Sequence, residues 1–449
     1  MKKHIITLII ITCLAGCINK NRIQIPVNVK VVIDSSGSNR TDLMITISEY
    51  MHQPDSLKLL AAYFLIENMR EKYFSTYLLY DTNDSIIDYN ISDYNNYQNL
   101  IKGLNSIQDS RGVVCFKNHY IGYDYYKVTS EFLIHNIELS FWAREHFPWA
   151  KQPNNNQFIE YVLPYRNSNE KLEDFREYLI QDYAWLSDSM QGDDDPVKAA
   201  EHINDELISW FKMDNRYLFN PTDQGISEML EDSIGREEDF STLFCTVCRA
   251  MGIAVAMDFT PYWPEDTLNS AWNVIFDKQG KSHPMKAFTS GKNKFTLEKK
   301  PAKVYRMTYK IQSDELKKHE SNRKNIPPFL HFNNLIDVTA DYTEVSDITI
   351  SLLESDKEYK TLYLCVWNSN QWNPICWSKI KDNTAHFENL GRGIRYMPAF
   401  YRNDSVIPAA NQCYINANGS IEILDTPLLI ENDIIIHEPG NISFLKNQQ

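Results

Sequence analysis

Between Gly235 and Met285 lie the residue types that amide chemistry uses: the carboxylates Glu237, Glu238 and Asp239 beside Arg236, the thiols Cys245 and Cys248, the hydroxyl of Ser270 and the imidazole of His283. A thiol attacks only as thiolate, and a helix N-terminus or a neighbouring imidazolium holds it in that form. One helix is predicted from Glu237 to just before Gly252, which puts Cys245 and Cys248 about 12 and 16 Å beyond its start at ~1.5 Å per residue. Small apolar residues on the buried side of a core helix is the plainer reading of both. As Cys-x-x-Cys they suggest a redox pair or half a zinc site, but they sit mid-helix with no second ligand pair, so no metal and no cofactor is expected. A carboxylate at the helix start is favoured by the dipole yet is a poor nucleophile toward an amide. Ser270 has no pKa near neutrality and cannot relay a proton as a general base. His283 is the best remaining imidazole, although a lone His on a strand is more often structural.

The spacing of these residues resembles the core of the transglutaminase-like superfamily. That pattern is Gly-x-Cys-x-Asp/Glu opening a helix, then Arg-Ala-x-Gly-Ile-Pro, then His-Ala-Trp-Asn on a strand. Here it reads Gly235-Arg236-Glu237-Glu238-Asp239, Arg249-Ala250-Met251-Gly252-Ile253 and Ser270-Ala271-Trp272-Asn273. Two positions depart from it: Glu237 stands where the resemblance puts the nucleophilic Cys, and Ser270 where it puts the His. No Asp or Glu between Asp277 and Glu298 supplies the third member on the next strand. The resemblance therefore implies a papain-like core without its chemistry, with no catalytic residue expected and with Arg236, Glu237, Asp239, Trp263, Ser270, Trp272 and His283 as candidates for a cleft that binds rather than reacts. An active cysteine peptidase or transamidase with a displaced site is the alternative.

The chain opens with Met1-Lys2-Lys3-His4, an apolar run from Ile5 to Leu14 too short to span a bilayer as a mature helix, and Leu14-Ala15-Gly16-Cys17. This order resembles a bacterial lipoprotein signal, which implies cleavage before Cys17, lipidation of that residue and an envelope location, the outer membrane being expected with its face undetermined. Loss of Lys2 and Lys3 moves the formal charge from -14 to -16. With no basic patch, nucleic acid and anionic lipid surfaces are poor partners, and contact with the membrane is expected only through the N-terminal lipid. A peptide, protein or glycan ligand is left open.

The expected fold is α+β: a helical N-terminal region, a transglutaminase-like core and a C-terminal all-β sandwich. The divisions are a signal peptide over 1–16, a tether over 17–26, a mainly helical region over 27–194, the core over 195–302, a connector over 303–336 and the sandwich over 337–449. Val27 to Ile33 reads as a strand or extended segment. Ser56 to Tyr73 reads as a helix with a stripe of Leu57, Leu60, Ala61, Phe64, Leu65 and Met69, and Glu131 to His146 as a second one with Phe132, Leu133, Ile137, Phe141 and Trp142 as its apolar side. Residues 80–125, rich in Asp, Asn and Tyr, read as loops and short elements. An acidic helix is expected over Glu170 to Arg176, and Pro196 follows Asp195 as a helix start. Beyond Asp337, short strands separated by Asn-rich turns argue a sandwich. Cys365 and Cys376 flank one hairpin, where a disulfide and two free thiols are both open. Trp367, Trp372, Trp377, Tyr396, Phe400 and Tyr401 are either a carbohydrate platform or core.

Overall fold

The computed structural model describes residues 24–53, 56–151, 153–267, 269–286, 295–313, 315–320, 322–353 and 358–424. Its architecture is α+β. Helices Val27–Ser35, Arg40–Tyr50, Ser56–Asn68 and Ser130–His146 share one core through Val29, Val32, Ile33, Leu43, Ile47, Leu65, Ile66, Leu133 and Ile137. The first of them corrects the extended reading of Val27 to Ile33. Its β-branched residues favour a strand, yet Val29, Val32 and Ile33 repeat at helical spacing, and burying them against neighbouring helices outweighs a propensity difference of well under 1 kcal/mol per residue. The Ser56 helix buries Ala61, Leu65 and Met69 of the expected stripe and packs Leu57 and Phe64 against the same core, but Leu60 stands 53% exposed while Leu59, Ala62 and Ile66 are also buried. Trp142, placed on the apolar side of its helix by spacing, is also exposed and stacks on His146.

Residues 80–125 are more ordered than a reading of loops and short elements allows. Strand Tyr73–Tyr80 pairs antiparallel with Cys115–Tyr123, and helix Tyr97–Arg111 lies between them in sequence. That helix starts at Asn96, whose side chain accepts from the Asn99 amide at 2.9 Å, and stops at Gly112, φ +80°. It buries only Leu100 fully, so there was little apolar period to detect. The expected acidic helix over Glu170 to Arg176 is also displaced: the helix is Arg176–Asp182, and Glu170 instead accepts the amides of Asn167 and Ser168 at 2.7 and 2.8 Å.

The centre of the molecule is a five-stranded antiparallel sheet ordered Leu335–Asp337, Tyr305–Met307, Val255–Thr260, Ser270–Phe276, Ser282–Met285. Two of its strands come from 303–336, the stretch expected to be a connector. Helix Glu237–Ala250 packs on one face through Phe240, Leu243, Phe244 and Val247 against Val255 and Ile275, with Ile203 and Leu207 of helix Pro196–Trp210 beside it. Asp195 caps the latter by accepting from the Val197 amide at 2.9 Å. Gly252, φ +73°, ends the Glu237 helix where a Cβ would meet Ala150 Cβ at 2.5 Å.

In the C-terminal region, Thr361–Asn368, Gln371–Lys379, Ile394–Arg402, Ser405–Pro408, Gln412–Ile415 and Ile421–Leu424 form a six-stranded sheet. Val345–Ser351 and Thr384–Gly391 form a second sheet, and Ile348, Ile350 and Phe387 meet Leu362, Leu364, Ile394 and Ile415 in one core. The short Ser405–Pro408 strand, absent from the sequence reading, returns through a turn with Asn403 and Asp404 both at positive φ. Cys365 and Cys376 are buried free thiols. They lie on adjacent strands across a register shift, and they pack into separate apolar clusters.

Candidate functional site

Gly235, Arg236 and Glu237 turn the chain from a short strand into the long helix. A Cβ at Gly235 would lie 2.9 Å from the Phe211 ring and 3.0 Å from Asp239 Cβ, so the turn is packed as tightly as glycine permits. The Arg236 amide donates to Asp239 Oδ2 at 3.0 Å, and Asp239 Oδ1 accepts from the Gln224 amide at 3.2 Å. This carboxylate satisfies one backbone donor at the start of its own helix and one in the loop before helix Ile226–Asp232. The Arg236 side chain is buried and turned inward. It donates to the Asn220 and Thr222 carbonyls at 3.1 and 3.4 Å, pairs with Asp223, and lies 3.8 Å from Glu238 and 3.6 Å from Asp239. Burial pushes the Glu238 carboxyl up to about 7 and that of Asp239 up to about 6, with Arg236 opposing both. Glu237 is the exposed member of the group.

The two thiols of this helix are sealed. Cys245 and Cys248 are 2% and 0% exposed, and burial pushes Cys245 up to about 11 and Cys248 well above the usual thiol range. Both are protonated at neutral pH, the state that does not attack. Asn273 Nδ2 donates to Cys245 Sγ at 3.1 Å and to the Ser241 carbonyl at 3.4 Å, so Asn273, with Ile275, faces the helix. Side chains alternate along a strand, which sends Ser270 and Trp272 to the opposite face of the sheet.

On that face the two residues serve internal bonds. Trp263 Nε1 donates to Ser270 Oγ at 2.8 Å. Trp272 Nε1 donates to Tyr342 Oη at 2.9 Å, and Tyr342 donates onward to Asp258 Oδ2 at 2.7 Å. Arg306 closes the chain with two 2.8 Å bonds to the Asp258 carboxylate. His283 shares the helix-facing side, because it pairs with Ile275, but it lies two residue pairs beyond the one that joins Asn273 to Met285 and contacts Asp277 at the hairpin turn at 2.6 Å. The candidates thus fall into three groups: Arg236, Glu237 and Asp239 at the helix start, Trp263, Ser270 and Trp272 behind the sheet, and His283 at the hairpin. Reasoning from sequence missed Asp277 as the partner of His283 and Asn273 as the sheet residue facing the thiol. A period-2 reading of the strand would have separated Asn273 from Ser270, although not said which of them met the helix.

In the strand-rich region, Tyr396 and Phe400 are buried, while Trp367 and Trp372 meet at 70° with centroids 5.5 Å apart. The two rings therefore do not form one coplanar platform. Cys17 lies outside the described residues. Among the described residues, no group of three or more His, Cys, Asp and Glu is placed to hold a metal ion.

No curated protein matches the chain. A family model described as the Transglutaminase-like superfamily matches residues 183–293, a span that holds the Glu237 helix and the Val255, Ser270 and Ser282 strands but not the Tyr305 and Leu335 strands that complete the sheet. Residues 183–293 are a transglutaminase-like superfamily domain.

Proposed function

We propose that this is a lipid-anchored cell-envelope protein, held in the outer membrane through Cys17, whose transglutaminase-like domain does no amide chemistry and is retained as a structural hub that can also carry a protein or peptide partner. The observation that carries this reading is the helix start. Glu237 stands where the family pattern has its nucleophilic thiol, and the two thiols further along the helix are protonated and out of reach. The hub role rests on what the other candidates do. Arg236, Trp263, Ser270 and Trp272 spend their polar groups on internal partners, and the Glu237 helix touches both the sheet and the N-terminal helices.

The test is chemical and direct. Purified protein is assayed for amine incorporation into glutamine peptides and for peptide hydrolysis, with and without iodoacetamide, and the labelled thiols are mapped. The expected result is no activity, with label on exposed Cys115 and none on Cys245 or Cys248 under native conditions. A thiol-dependent activity abolished by Cys245→Ala or Cys248→Ala would sink the reading. For the anchor, Cys17→Ala is expected to shift the protein from the membrane to the soluble fraction. Unchanged fractionation, with no fatty-acid label on the wild type, refutes that part.

A further inference from the structure

Away from the helix start, a small cavity lies between the Glu237 helix, the sheet and the loop after Pro164, with Lys72, Arg166, Asn167, Cys245 and Arg249 among the residues on its wall. Three cations and no carboxylate line it. Arg166 is spent: Nε and Nη2 hold the Asp124 carboxylate at 2.9 and 2.7 Å. Arg249, 92% buried by its 8% exposure, uses Nη1 on the Arg166 carbonyl at 2.8 Å and leaves Nε without a partner. The Lys72 ammonium lies 4.9 Å over the Tyr309 ring and makes no ion pair or hydrogen bond among the described residues.

The carboxylates that surround the cavity are already occupied. Glu160 accepts the amides of Tyr309 and Lys310 at 2.6 and 3.1 Å, Glu170 takes those of Asn167 and Ser168, and Asp124 takes Arg166. Two cationic donors therefore face the space without a contacting carboxylate, and Asp124, Glu160 and Glu170 offset their charge only from beyond its wall, a costly arrangement in a medium of low dielectric. Burial accordingly pulls Lys72 down to about 8, against the opposing pull of Asp124 and Glu160. The space measures about 20 Å³ to a water-sized sphere. That is room for one water or one monatomic ion. Met257 and Met307 on the wall add polarisable surface, which suits a large, weakly hydrated anion.

We propose that this cavity is a binding site for a single halide-sized inorganic anion, held between Lys72 Nζ and the Arg249 guanidinium. It is independent of the helix-start residues and of whether the domain is catalytic. The test uses the purified full chain. Crystals grown in sodium bromide are expected to show an anomalous peak within hydrogen-bond reach of both Lys72 and Arg249. In solution, replacing sodium gluconate by sodium bromide at constant ionic strength is expected to raise the wild-type melting temperature by roughly 2 °C at about twenty times Kd. Lys72→Met should lose that rise and Lys72→Arg should keep it. A map without the peak, or a bromide response equal in wild type and Lys72→Met, overturns the proposal. If Lys72→Met does not fold, the wild-type map decides alone.

Discussion

Arg306→Met tests whether the sheet and the segment after residue 302 form one cooperative body. Asp258 is fully buried, and its carboxylate is held by two 2.8 Å bonds from Arg306 on the paired strand and by Tyr342 at 2.7 Å. Methionine keeps most of the apolar stem but removes the guanidinium, whose carbon lies 5.0 Å from the Phe276 ring centroid, leaving a buried carboxylate with one donor. Breaking a buried pair from one side costs about 3–5 kcal/mol, much of it the desolvation of the partner left behind. For a body of roughly 400 residues, unfolding entropy near 2.1 cal/mol/K per residue gives about 0.8 kcal/mol/K, so the melting temperature is expected to fall by about 4–6 °C. The loss should shrink at low pH. Burial already holds the folded Asp258 pKa above its unfolded value, and losing Arg306 raises it further, so the cost is complete above the folded pKa and vanishes below about 4, where both states are protonated. Calorimetry at several pH values on the wild type, Arg306→Met, Asp258→Leu and the double variant reads this out. The double variant, with no charge left unpaired, is expected to recover about half of the loss or more. Additive single effects, or a shift under about 1 °C, would refute the reasoning and detach the Tyr305 strand from the cooperative unit.

Glu238 gives a pH signature at the helix start. Its folded pKa, pushed up to about 7 by burial, lies above the unfolded value near 4.5, so its contribution to stability is fully present below about 4.5 and is lost as pH rises through about 7. Glu238→Gln should therefore match the wild type below about 4.5, gain on it across that window and keep the full advantage above about 7, as followed by urea midpoints; a parallel offset at all pH values contradicts this. Gly391→Ala should destabilise by more than about 2 kcal/mol, because the new methyl would fall 2.0 Å from the Pro301 carbonyl oxygen and the strand must move; an unchanged thermal midpoint would show that the contact yields. Asn96→Ala removes the cap of helix Tyr97–Arg111 and is expected to cost about 1 kcal/mol with partial loss of helical circular dichroism.

Much of the architecture was legible from local chemistry. Asp195 followed by Pro196 is a helix start because one side chain caps and the other fixes φ, and Gly252 is a stop because it takes φ +73°. The strands after residue 337 announced themselves through β-branched and aromatic runs bounded by Asn-rich turns. Legibility failed where burial is sparse or comes from distant partners. The Tyr97 helix buries one residue fully, the Val27 helix carries strand-forming residues, and the three-residue Tyr305 and Leu335 strands are too short to show a period.

The candidate site divides in the same way. Which residues stand at the helix start, Glu237 among them, and that Cys245 and Cys248 come turns later follows from residue order and the rise of a helix, so the sequence alone determined it. Which sheet face meets that helix depends on how the strands pair and what packs on each side, and only the tertiary structure decided that Asn273 faces the thiol while Ser270 and Trp272 turn to Trp263 and Tyr342. Alternation along a strand separates two sets of side chains, but nothing local says which set is turned to the helix, because that choice is made by packing partners drawn from Asp124 to Tyr342.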